Sequence, residues 1–367
     1  MNNSLDDFFE KIITVKWGND KKSVDIIDQT LLPGEIKRIL LSTREEIYEA
    51  IKMLRVRGAP AIGVCASYGL AVIAGNYSEN NTDDFLKKLR EDAGYINSSR
   101  PTAVNLSWAL KRMLGKAEMM KNESISEIKE GLFSEAQKIR DEDVGISRNI
   151  GEIGFSLMRQ RKIEGRELRI ETHCNAGTLA TAKYGTATAP IYMALEHGWK
   201  PDDIHVFCDE TRPLLQGARL TAFELVNAGI TTTVECDNMA SALMRQGMID
   251  MIFVGCDRVA RNGDFANKIG TAGLAIIAKH YNVPFYVCAP SSTVDMNCKS
   301  GGDILIEMRD KEEVTKMWYK KPMAPDKADV FNPAFDVTDY DLVTGIITEK
   351  GLCTAPYEEA FKKQGIN

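Results

Sequence analysis

Four histidines and no Cys-x-x-Cys pair leave little from which to build a metal centre in this chain of 367 residues. The eight cysteines stand apart, at positions 65, 174, 208, 236, 256, 288, 298 and 353. That scatter excludes a zinc ribbon and a thioredoxin-type dithiol. No apolar run reaches the roughly 18 residues of a membrane span. The N-terminal stretch MNNSLDDFFEKIITVKW is acidic and lacks the apolar core of a secretory signal. No GxxxxGK occurs, and HCNAGTLAT is not a GxGxxG loop, so neither a P-loop nor a dinucleotide fingerprint is present. Basic excess is missing too: 46 Lys and Arg face 52 Asp and Glu, which argues against a dedicated nucleic-acid binder.

What is present is a globular composition. Hydrophobic residues make up 44% and charged residues 27%, which rules out disorder of the whole chain. At roughly 150 residues per domain, the length predicts two domains. Most cysteines lie in apolar runs such as HVFC and FYVC, where a thiol behaves as a small hydrophobe. That usage fits a reducing cytoplasm.

The two halves have different rhythms. IITVKW and VDIID flank the polar turn GNDKK and predict a hairpin. A further extended piece spans Ile36 to Leu41, and Ser42 with Glu45 predicts a capping box. Helical patterns then dominate to about residue 161. After that, LRIET, IHVFC, TTTVE, MIDMIFVG and PFYVCAP alternate with helical runs, including one over 178–198 and one over FANKIGTAGLAIIAKHY. Buried strands alternating with helices predict a parallel sheet covered on both faces. The expected fold is therefore α/β. A mostly helical N-terminal domain with a small β entry (1–161) precedes a Rossmann-like, doubly wound parallel-sheet domain (162–367). Residues 291–338 read as partly structured, and a last helix is expected from Tyr340 to about Ile347.

In a doubly wound sheet, ligands bind beyond the carboxyl ends of the strands. Those ends carry His173-Cys174-Asn175, Asp209-Glu210, Asp237-Asn238 and Cys256-Asp257-Arg258. With strand order 3-2-1-4-5, Cys174 and Asp257 flank one crevice. Cys174 precedes a small-residue helical pattern, whose N-terminus would lower a thiol pKa or hold a phosphate; an inert loop cysteine fits the position as well. His173 reads as an orienting group rather than a metal ligand. Asp257 follows an apolar strand, where desolvation would raise its pKa and suit it to general-acid work. A helix cap or an ion pair to Arg258 or Arg261 is the plainer alternative. Arg57-Gly58-Ala59, Arg100-Pro101-Thr102 and Asn267-Lys268 stand at expected helix starts, where cations suit a phosphate or are simply solvated.

Long motifs sharpen this reading. IDQTLLPGE (27–35), LRVRGAPAIGV (54–64), RPTAVNL (100–106), THCNAGTLAT (172–181), DETRPLLQGARLTAFEL (209–225), DNMASALM (237–244), GCDRVARNGDFANKIGT (255–271) and PFYVCAP (284–290) occur in order. Together they resemble the 5-methylthioribose-1-phosphate isomerase family of methionine salvage, over roughly Val15 to Gly351. The resemblance implies an aldose–ketose isomerisation with Cys174 and Asp257 as catalytic residues. It further implies substrate binding by Arg57, Gly58, Ala59, Arg100, Gln216, Asn267 and Lys268, and a homodimer that needs no metal or organic cofactor. Cys256 stands where the family often has Ala, and Pro190 falls within a helical pattern. Related folds serve ribose-1,5-bisphosphate isomerases and the regulatory subunits of the initiation-factor 2B exchanger. The paired Cys174 and Asp257 set this chain apart from the latter.

Overall fold

A computed structural model describes residues 3–101 and 103–366, so Thr102 of the RPT motif lies outside the described residues. The chain divides into two compact units. One runs to Gly145 and also takes in Gly177–Gly185; the other holds Ile146–Ala176 and everything from Thr186 onward.

In the first unit, α1 (Asn3–Ile12) precedes an antiparallel sheet of β1 (Val15–Trp17), β2 (Val24–Ile27) and β3 (Arg38–Leu41). The expected hairpin forms with Val15 opposite Ile26. The capping box forms one residue later than the sequence suggested. Glu46 N donates to Thr43 Oγ1, and Thr43 N donates to Glu46 Oε2, which opens α2 (Arg44–Lys52). Ser42 and Thr43 are both competent caps, and the extended backbone at Thr43 decides between them. Next come α3 (Ala59–Gly75), α4 (Thr82–Asn97), α5 (Val104–Met119) and α6 (Ile125–Arg161), the last of which continues into the second unit. Every residue of α3 from Ala61 to Ala74 is buried. A helix apolar on all sides belongs at a core's centre, and α3 supplies much of this unit's cluster with Ile47, Leu89, Leu110 and Ile128.

The second unit is built on a seven-stranded sheet ordered β14-β13-β10-β7-β4-β5-β6. Its strands are β4 (Leu168–Thr172), β5 (Ile204–Asp209), β6 (Thr231–Glu235), β7 (Met251–Val254), β10 (Phe285–Cys288), β13 (Gly345–Thr348) and β14 (Gly351–Cys353). All neighbours are parallel except β13 and β14. The expected 3-2-1-4-5 order holds, and β4 lies beside β7 with Ile170 opposite Met251. Helices α7 (Ala189–Glu196), α8 (Ala222–Asn227), α9 (Ala240–Arg245) and α10 (Thr271–Tyr281) fall between the strands.

Three local expectations are corrected. The run over 178–198 is broken into a 3₁₀ turn at Thr178–Ala180 and α7, so Pro190 sits in a first turn and starts a helix rather than kinking one. FANK is strand β9 (Phe265–Lys268), paired with β8 (Arg258–Ala260), and α10 begins only at Thr271. No helix spans Tyr340–Ile347: Tyr340–Leu342 is one 3₁₀ turn, and the β-branched run at 346–348 extends the parallel sheet. The 291–338 stretch supplies β11 (Val294–Asp295), the short helix α11 (Glu312–Thr315) and β12 (Phe335–Thr338). β11, β8, β9 and β12 form a second small sheet in that order. The last helix is α12 (Tyr357–Lys363).

Gly58 caps α3 with φ +90°, and a Cβ there would lie 2.5 Å from Ala180, within the same unit. Gly58→Ala is therefore expected to cost about 2–4 kcal/mol, from backbone strain plus overpacking. Urea unfolding checks this, and an unchanged midpoint would contradict it.

Candidate active site

Strand β4 delivers the chain to His173 and Cys174 at its carboxyl end. Cys174 is buried and has φ +65°, an unusual conformation for a side chain other than glycine. Its N–H donates to Thr211 Oγ1 at 2.8 Å, and its carbonyl accepts from Thr221 Oγ1 at 2.6 Å. Asn175 Nδ2 donates to Thr221 Oγ1 at 3.1 Å and to the buried Glu224 carboxylate at 2.8 Å. The helix expected just after Cys174 is reduced to the three-residue turn at Thr178, so this segment does not supply the helix dipole that the sequence suggested.

His173 is fully buried and uses both ring nitrogens. Nδ1 lies 2.8 Å from Asp209 Oδ2, and Nε2 lies 2.8 Å from Ile269 O. A carbonyl can only accept, so Nε2 carries a hydrogen toward it. Burial alone would lower the His173 pKa. The Asp209 hydrogen bond and charge, with Asp237 behind them, outweigh burial and raise it. Gly270 presses on the ring, and a Cβ there would fall 2.7 Å from His173 Cε1. Both ring nitrogens of His173 are thus taken up by protein partners, which fixes the ring. His173, Asp209 and Asp237 are close enough to hold a cation, but both imidazole nitrogens are already engaged.

Beneath this pair lies a feature that the sequence reading missed. Glu171, Asp209 and Glu235 bring carboxylate oxygens within 4.8 Å of one another, all buried. Both oxygens of Glu171 and of Glu235 lack a hydrogen-bond partner. Burial first, and then the Asp209 charge, push Glu171 well above the usual carboxylate range and Glu235 up to about 8. The available signal was an acid in the closing residues of three successive strands, LRIET, IHVFCD and TTTVE.

Asp257 follows β7 by way of Gly255 and Cys256. The β7 and β4 loops touch, since a Cβ on Gly255 would meet the Ala176 Cβ at 2.5 Å. Asp257 N donates to Ala266 O at 3.0 Å. Asp257 itself is exposed, unlike the desolvated setting expected of a residue after an apolar strand. Arg258 and Arg261 pair with Asp295 and Glu358.

Gln216 is buried at the start of a π-helical turn, Gly217–Thr221, and its Oε1 has no partner. Such an acceptor is open to a hydrogen-bond donor from outside the chain. Asn267 and Lys268 close strand β9 instead of opening a helix. Asn267 Nδ2 donates to Thr271 Oγ1 at 3.1 Å, and Lys268 Nζ donates to Ala334 O at 2.7 Å beside the Phe335 ring. The structure therefore gathers Cys174, Gln216, Asp257, Asn267 and Lys268 onto the second unit, around strand ends β4, β5 and β7 and the β8–β9 hairpin. Arg57, Gly58, Ala59 and Arg100 belong to the first unit, at the start of α3 and after α4, with both arginines half-buried.

The profile of the initiation factor 2 subunit family matches residues 55–355. A methylthioribose-1-phosphate isomerase of Symbiobacterium thermophilum is 55% identical over 338 residues, covering 92% of each chain. A 5-deoxyribose 1-phosphate isomerase of Clostridium botulinum (strain Okra / Type B1) is 49% identical and covers 96% of this chain and 98% of its own. The crystal structure of 5-methylthioribose 1-phosphate isomerase from Pyrococcus horikoshii OT3 superposes with a TM-score of 0.90 at 42% identity, covering 99% and 98% of the two chains.

The buried acids predict a stability profile. A carboxyl whose pKa rises from 4.5 unfolded to about 8 folded binds its proton more tightly in the folded state. Its contribution is complete below the unfolded value and is lost as pH climbs to the folded one. Glu235→Gln cannot ionise. Its Tm relative to the unmodified protein should climb between about pH 5 and 8 and level off above that. A flat difference across that range would mean that Glu235 is already ionised when folded.

Proposed function

The chain belongs to the initiation factor 2 subunit family, and we propose that within it the chain converts 5-methylthio-α-D-ribose 1-phosphate to 5-methylthio-D-ribulose 1-phosphate. It is a sugar-phosphate aldose–ketose isomerase of the methionine salvage type. The observation that carries the mechanistic part is the adjacency of β4 and β7, whose touching loops bear a thiol and a carboxyl.

The substrate explains why two such groups are needed. Phosphate on C1 locks the sugar as a ring with no free aldehyde. Asp257 acts as the general acid that protonates the ring oxygen as the C1–O bond opens. Cys174 then takes the C2 proton as thiolate and returns it at C1, or steadies a direct C2-to-C1 hydride shift. Lys268 is assigned to the phosphate, where a cation strengthens as water is excluded. Gln216 and Asn267 are assigned to sugar hydroxyls, in keeping with the unpartnered Gln216 Oε1. Arg57, Gly58, Ala59 and Arg100 keep the substrate-binding roles that the family resemblance implies. A cytoplasmic homodimer is the proposed working form. Leu305 and Phe331, 96% and 82% exposed within residues 291–338, offer it an apolar surface.

A second substrate has its own support in the 5-deoxyribose 1-phosphate isomerase relatives. An apolar pocket separates methylthio from methyl by only about 1–3 kcal/mol. Phosphorus NMR with each sugar phosphate separately, ribose 1,5-bisphosphate included, tests the assignment. The highest kcat/KM is expected for the methylthio substrate, and no turnover of any would overturn the reading. Cys174→Ser and Asp257→Asn should stay folded and lose about 10²–10⁴-fold in kcat. Near-normal turnover in either removes that residue from the chemistry.

A further inference from the structure

Two threonine hydroxyls grip the Cys174 peptide from opposite sides, and each is used twice. Thr211 Oγ1 accepts from Cys174 N at 2.8 Å and lies 3.1 Å from Asp209 O. Thr221 Oγ1 lies 2.6 Å from Cys174 O and accepts from Asn175 Nδ2 at 3.1 Å. A hydroxyl has one hydrogen to give. An amide N–H can only donate and a carbonyl can only accept. Thr211 must therefore send its hydrogen to Asp209 O, and Thr221 must send its own to Cys174 O. The polarity of the clamp admits no second arrangement. Both threonines are essentially inaccessible, 0% and 1% exposed, so water does not compete for these bonds.

The backbone gives the second argument. Thr211 has φ +65°, the same left-handed region as Cys174. A β-branched residue there is an outlier, whereas glycine or asparagine would be at ease. Backbone geometry therefore disfavours threonine at 211, and what threonine supplies is its hydroxyl. The strained peptide is held from outside: Asp237 accepts from Thr211 N and from Arg212 N, both at 2.7 Å. Thr221 closes the π-helical turn Gly217–Thr221, a local widening that recurs at functional sites. The turn is packed tightly, since a Cβ on Gly217 would fall 1.7 Å from Asp209 O.

We propose that Thr211 and Thr221 are positioning residues for the isomerisation, fixing the Cys174 peptide in its left-handed conformation and thereby aiming the thiol. The inference rests on the reading of Cys174 as the reacting thiol. Neither threonine is given a contact with the substrate. Both act through Cys174, so their loss falls on the chemical step and leaves binding largely alone.

Four variants test this in the full-length protein: Thr211→Gly, Thr211→Ser, Thr221→Val and Thr221→Ser. Thr211→Gly relieves the backbone strain but deletes the buried methyl and leaves the Cys174 N–H without its acceptor, so its Tm is read beside that of Thr211→Ser to show that both variants are folded. Thr211→Gly and Thr221→Val should each lose about 10²-fold in kcat with KM within about twofold, the cost of misaiming a reacting group by an ångström. The serine variants should recover most of that activity. A second readout needs no substrate: the iodoacetamide labelling rate of Cys174, followed by peptide mass spectrometry, should shift in the Gly and Val variants and return in the Ser ones. Unmodified kcat in Thr211→Gly and Thr221→Val, or serine variants as impaired as these, would overturn the inference. Full turnover in Cys174→Ser would instead overturn the reading beneath it. An unchanged labelling rate in the Gly and Val variants would sink the positioning claim on its own.

Discussion

His173 and Asp209 meet at 2.8 Å where both side chains are almost fully buried. The rest of the second unit's site is arranged around that contact. It ties the end of β4 to the end of β5, and the other ring nitrogen ties both to Ile269, just past β9. A buried polar contact of this kind gains little net stability, because desolvation offsets most of the attraction. Its value lies in geometry. With both ring nitrogens engaged and Gly270 against the ring face, His173 has one orientation, and the next residue in the chain is Cys174. The Cys174 loop is therefore anchored by its neighbour as well as by the two threonines.

The acids of this unit have different surroundings. Glu171 and Glu235 are buried against Asp209, and like charges so close in a poorly polarisable interior cannot all ionise. Asp257 is exposed and lies one strand away, on the loop after β7. The sequence reading looked for a perturbed carboxyl at Asp257, because that residue follows an apolar strand. Burial raises the pKa of three other acids, Glu171, Asp209 and Glu235, at the ends of β4, β5 and β6. Position along a strand told which end a residue occupies. It did not tell which acids face one another across the sheet.

The same limit governs what was legible elsewhere. The parallel sheet could be read from the sequence, because buried strands announce themselves as short apolar runs between helical patterns; the strand order, and with it the placing of Cys174 and Asp257 at neighbouring strand ends, rested on assuming the usual doubly wound topology, which the sheet has. The strand FANK could not, since four residues have no period of their own. Its identity is settled by pairing with Phe335–Thr338, some 70 residues later. The β13 strand was hidden likewise, as Gly345–Thr348 becomes a strand only beside Tyr286–Cys288. The motif around Gln216 was legible as a helix; the π-turn within it, and the left-handed backbone at Thr211 and Leu215, were not. Family resemblance supplied the site residues, and the hydroxyl clamp that holds one of them emerged only from coordinates.

The excursion Gly177–Gly185 has a consequence for synthesis on the ribosome. Thr14 donates to Thr178 O, Gln29 donates to Leu179 O, Gly58 abuts Ala180, and Ala182 N donates to Asp143. All of these contacts lie inside the first unit. When its first 145 residues have left the exit tunnel, that unit still lacks a short piece of its own interior. The missing piece is encoded after β4 has already been made. The nascent N-terminal segment therefore lacks this piece until just over half the chain is translated. The packing of the first unit is therefore completed only after part of the second has been made.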